Sequence, residues 1–101
     1  MEPLNLTNAL KLYDCLQEYL PEYDEKTTAL EFIGKIVKNI KNSNRHRDYL
    51  EAVSIMTTVS IETLIEYEPN EVLEEFTRGL ILNDVVSLKE FAKRVGYNAR
   101  S

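Results

Sequence analysis

An all-α, single-domain bundle of five to six short helices is the fold class that this sequence predicts, and three observations carry the prediction. Apolar residues recur at steps of three and four along most of the chain, the spacing of helices with one buried face. Helix-capping and helix-breaking residues punctuate that pattern at Ser60, at Glu68-Pro69-Asn70 and at Asn83-Asp84. No five-residue stretch alternates apolar and polar side chains as a half-buried strand does, and three Gly are too few for a succession of tight β-turns. A length of 101 residues suits one domain, which at this size buries about 65% of its unfolded surface and needs no disulfide staple.

The elements follow in order. Leu6, Leu10, Tyr13, Leu16 and Leu20 predict a first helix over about 6–19, capped by Asn5 or Thr7 and stopped by Pro21. A second helix starts near Thr27 or Thr28, where Thr28 and Glu31 have capping-box spacing. Its apolar face of Leu30, Phe32, Ile33, Ile36, Val37 and Ile40 is broad enough for a central helix packed on two sides. A close helix crossing at Gly34 is expected, since Gly inside a helix costs about 1 kcal/mol against Ala. The KNSN segment ends it. A third helix runs from about 45 to 56 or 57, with Tyr49, Val53 and Met56 on one face. Ser60 caps a short fourth helix carrying Ile61, Leu64 and Ile65. Pro69 suits the first position of a fifth, whose core face is Val72, Leu73, Phe76, Leu80 and Ile81. The sixth carries Val85, Leu88, Phe91, Ala92 and Val95, restarted by a Ser87–Glu90 capping box and closed by Gly96 at its C-terminus.

Composition restricts the function. No apolar run can span a bilayer, and the N-terminus has neither a basic region nor a long apolar one, so a cytoplasmic protein is expected. One His and one Cys are too few for a zinc site, and no metal or cofactor is expected. Cys15 reads as a small buried hydrophobe rather than a nucleophile. His46 stands between two Arg, which lowers its proton affinity and makes it a poor ligand. The pairs Glu62/Glu66 and Glu71/Glu75 lie opposite the apolar stripes, as solvated faces do. No catalytic residue is assigned, and the chain reads as a non-enzyme.

Net charge is −5, unevenly spread. Six Glu and no base occupy 62–75, whereas 35–47 carries Lys35, Lys38, Lys41, Arg45 and Arg47 with no acid. The overall acidity argues against general nucleic-acid binding. The basic segment keeps open an accessory role on nucleic acid, although interleaved aromatics and Gly-rich loops are missing from it. The tail SLKEFAKRVGYNARS has the pattern of the first helix and turn of a helix-turn-helix, but a recognition helix would not fit in the five residues after Gly96.

The run Leu50…Ile55-Met56, Ser60-Ile61-Glu62-Thr63-Leu64, Glu71-Val72-Leu73…Phe76…Gly79-Leu80…Asn83 and Leu88…Phe91…Val95-Gly96-Tyr97 covers about half the chain. It resembles small all-helical proteins of tailed-phage morphogenesis modules, among them tail assembly chaperones. The resemblance rests on packing and capping residues. It implies a non-enzymatic role, namely binding a tape-measure or other virion protein through an apolar groove flanked by charge, alone or as a homo-oligomer. Phe76, Leu80, Phe91 and Tyr97 are the expected apolar contacts, and Lys35, Lys38, Lys41, Arg45 and Arg47 the charged ones. The alternative is a regulatory or inhibitory protein-binding module.

Overall fold

Six α-helices and one 3₁₀ turn account for the regular structure among the described residues, 2–22 and 24–94, of the computed structural model. In chain order they are α1 Leu6–Leu16, the 3₁₀ turn Gln17–Tyr19, α2 Ala29–Ser43, α3 His46–Thr57, α4 Ile61–Leu64, α5 Pro69–Leu82 and α6 Val85–Arg94. The all-α class expected from the sequence is the one observed.

Side-chain caps set most of the boundaries. Asn5 accepts from the Asn8 backbone N–H at 2.9 Å, Thr28 from that of Glu31 at 3.1 Å and Ser60 from that of Thr63 at 3.3 Å. Each satisfies one of the N–H groups that a helix start leaves without an intrahelical acceptor. Pro69 opens α5, where its missing N–H is no loss. The cap of α6 is not the expected Ser87–Glu90 box. Asp84 takes the position instead: its carboxylate accepts from the Ser87 backbone N–H at 3.3 Å and from the Ser87 hydroxyl at 2.7 Å. Asn44 and Thr58 end α2 and α3 in the left-handed conformation, at φ 60° and 63°. Gly96 lies outside the described residues.

The core is apolar. Phe32, Phe76, Leu12, Leu16, Ile36, Leu64, Leu80 and Val53 are its largest fully buried side chains, and no charged side chain among the described residues is buried. Its centre is α3, which packs against α1, α2, α4 and α5, while α6 closes on α1. The sequence placed α2 at the centre on the breadth of its apolar face. That breadth is real, but Leu30 at its edge is 64% exposed. Across α1 and the 3₁₀ turn the buried residues are Leu12, Leu16 and Tyr19; of the expected row, Leu16 is buried, Leu10, Tyr13 and Leu20 are half-buried, and Leu6 is exposed.

The expected close crossing at Gly34 is absent: a Cβ there meets nothing within 4 Å. The close approach lies at Gly79, whose added Cβ would stand 2.5 Å from Met56 Sδ and 3.2 Å from Met56 Cβ. Two long-range hydrogen bonds fasten the ends of the fold. The Leu4 backbone N–H donates to Asn83 Oδ1 at 2.8 Å, and Lys89 Nζ donates to the Pro21 carbonyl at 2.7 Å. The radius of gyration is 12.9 Å, against about 13 Å for a well-packed chain of this length. Loose packing therefore does not explain the apolar side chains left outside.

Candidate functional site

Helix α5 is apolar on more than one side, and only one side enters the core. Val72, Phe76, Gly79 and Leu80 turn inward against α3. The Phe76 ring sits 4.8 Å from that of Tyr49, tilted by 53°. Phe76 and Leu80 have no exposed surface, which removes them from the expected partner contacts. Their burial follows from their place on the inner side of α5, where packing needs their volume.

The adjacent outer side of α5 carries Asn70, Leu73, Glu74, Thr77, Arg78 and Ile81, and these line a shallow open groove. Leu73 is 39% exposed and Ile81 50%. The sequence had assigned both to the core. They recur with Thr77 at steps of four, so they form one stripe. Arg78 sits beside the stripe, held by Glu75 at 3.4 Å and Glu74 at 3.8 Å. Upstream along the chain, Glu62, Glu66 and Glu68 are exposed before α5, and Glu71 is exposed in its first turn. Phe91, the third expected apolar contact, is 41% exposed on α6, where Val86, Ser87, Glu90 and Arg94 join it around a smaller depression. Tyr97 lies outside the described residues.

The five basic residues do not act as one cluster. Arg45 donates to Glu18 at 2.6 Å, and Arg47 to Glu51 at 3.0 Å. Lys35, Lys38 and Lys41 stand exposed on α2, and among the described residues none of the three forms a salt bridge. His46 is exposed at the first position of α3.

The one thiol is held in its protonated form. Cys15 is half-buried, and its Sγ lies 3.8 Å from Glu51 Oε2. Burial pushes its pKa up to about 12, with the carboxylates of Glu51, Asp14 and Asp48 adding to the shift. A thiol so suppressed is a poor nucleophile near neutral pH. Burial raises Tyr49 to about 12 as well. Tyr19 is raised by burial and by its hydrogen bond to Asp48. Asp24 is lowered by the backbone N–H of Lys26 and the Thr27 hydroxyl, which together form a loop before α2. Among the described residues, no group of three or more His, Cys, Asp or Glu side chains is placed to hold a metal ion. No helix among them is long and apolar enough to cross a membrane.

No protein-family model, curated protein or solved structure matches the chain.

Proposed function

We propose that this protein is a non-enzymatic binding module that holds a helical segment of a partner protein along the outer side of α5. The observation that carries the reading is the stripe Leu73–Thr77–Ile81 along one groove of α5, with Leu73 and Ile81 exposed at helical spacing and Thr77 half-buried between them. Apolar residues aligned at helical spacing on an outer face match the way an amphipathic helix docks, with anchors one turn apart. The resemblance of 49–97 to tailed-phage morphogenesis proteins gives the partner class, a helical virion component such as a tape-measure protein. The mechanism is stoichiometric shielding. Apolar surface on the partner is kept from water, and from other copies of itself, until assembly.

The test is capture with tagged protein from the native source under nuclease treatment, compared with the Leu73→Glu/Ile81→Glu double variant. Recovery of one identified helical structural protein by the wild type, reduced at least about tenfold by the variant, supports the reading; a loss of that size corresponds to about 1.4 kcal/mol. Equal recovery by a variant that circular dichroism shows to be folded contradicts it.

A further inference from the structure

The outer face of α2 has a composition that the fold does not explain. Leu30, Gly34, Lys38 and Lys41 follow one another at steps of four, four and three, and all four are exposed. An exposed glycine in mid-helix lowers helix stability and packs against nothing within the chain. A glycine flanked by an exposed leucine and two lysines lets another backbone approach closely, with apolar contact at one end and positive charge at the other.

The outer side of α5 has the matching arrangement in reverse. Ile81, Thr77, Glu74 and Asn70 follow at steps of four, three and four towards its N-terminus, where Glu71 adds to the charge. Eleven residues separate Leu30 from Lys41, and eleven separate Ile81 from Asn70. At about 1.5 Å per residue, both faces extend roughly 16 Å. Laid antiparallel, Leu30 falls against Ile81, Gly34 against Thr77, Lys38 against Glu74, and Lys41 against the Asn70–Glu71 end. The small residues meet at the middle, apolar meets apolar at one end, and positive meets negative at the other. Arg78, the one base on the α5 side, is already engaged by acids of its own helix.

We infer that the occupant of the α2 face is a second copy of this chain, docked through the outer side of its α5. The inference rests on the reading of that side of α5 as a docking surface. The two halves of the contact differ, so each copy offers both a donor and an acceptor face, and the contacts either close reciprocally into a dimer or continue from copy to copy. Copies so joined cover the Leu73–Ile81 stripe, and a helical partner would displace them.

The experiment is light scattering on size-fractionated protein over a concentration series at low ionic strength. The wild type is expected to exceed the monomer mass of 11.7 kDa and to shift towards monomer as salt is added. Lys38→Glu/Lys41→Glu and Glu71→Lys/Glu74→Lys are each expected to be monomeric alone and to associate when mixed, because the reversed α2 of one then meets the reversed α5 of the other. Gly34→Gln, which keeps the helix and fills the gap, is expected to weaken self-association at least about tenfold without lowering the melting temperature. A wild type that stays monomeric throughout overturns the inference, as does a mixture of folded variants that does not associate. If the wild type is monomeric while Leu73→Glu/Ile81→Glu still abolishes capture of the partner, only self-docking is overturned and the binding reading stands.

Discussion

Gly79 of α5 lies so close to Met56 of α3 that a Cβ at position 79 would stand 2.5 Å from the Met56 sulfur. This contact lets the central helix α3 and α5 approach each other, and it fixes which side of α5 faces inward. With Gly79, Phe76 and Leu80 committed to the α3 contact, Leu73 and Ile81 are left on the outer flank. The exposed apolar stripe is in that sense a consequence of a packing detail in the core.

The two described mid-helix glycines should therefore respond oppositely to alanine. Gly79→Ala must displace Met56 inside a filled core and should destabilise the protein by about 1–3 kcal/mol. Gly34→Ala meets nothing and should stabilise it by about 0.5–1 kcal/mol. Urea unfolding followed by circular dichroism gives both values, and a sign reversal at either position would contradict the packing described.

The phenylalanines separate core from surface. Phe76→Ala removes a fully buried ring packed on Tyr49 and should cost about 3–5 kcal/mol. Phe91, 41% exposed on α6, should cost less than about 1 kcal/mol on the same change. Thermal melts of the two variants are the check, with comparable losses as the contrary result.

Stability should fall in alkali. The folded-state pKa values of Cys15, from 9.0, and Tyr49, from 10.0, are both raised to about 12. As pH rises, the unfolded chain releases these protons first, so unfolding is favoured. The stabilisation is fully present below about pH 9 and is lost on the way to about pH 12. Melting temperatures measured across that window should decline, and less steeply in a Cys15→Ala/Tyr49→Phe variant. The same burial predicts slow alkylation: near pH 8 Cys15 should react on the order of 10²–10³-fold more slowly than an unfolded cysteine.

Thr58 ends α3 at φ 63°, a left-handed conformation that a β-branched residue adopts at a cost. Thr58→Gly should raise stability by roughly 0.5–1 kcal/mol, a left-handed helix end being the setting that favours glycine. A clear loss of stability in the chemical denaturation midpoint would show that the Thr58 hydroxyl, which donates to the Thr57 carbonyl, matters more.

The boundaries of the helices were legible because single residues set them: Asn5, Thr28, Ser60 and Pro69 act where their types indicate. Which face turns inward was less legible. In α1, the rows led by Leu6 and by Leu12 both satisfy helical spacing, and only tertiary contact decides between them. In α5 the apolar residues cover more than one side, so Val72, Leu73, Phe76, Leu80 and Ile81 all read as one core face, and Phe76 and Leu80 as partner contacts too; only tertiary contact separates the buried Val72, Phe76 and Leu80 from the exposed Leu73 and Ile81. The two glycines carried the same ambiguity, because a sequence shows that a gap exists but not what fills it. The basic segment looked uniform because Glu18 and Glu51, which neutralise Arg45 and Arg47, come from other parts of the chain.

Docking of a partner on the outer side of α5 can be followed residue by residue by methyl NMR. Leucine and isoleucine methyls would be labelled in the Lys38→Glu/Lys41→Glu background, chosen to exclude the proposed self-docking, and the captured partner titrated in. Shifts or broadening are expected to concentrate at Leu73 and Ile81, with Leu12 and Leu64 in the core nearly unmoved. Unchanged Leu73 and Ile81 signals on a protein that binds its partner through some other surface would contradict it.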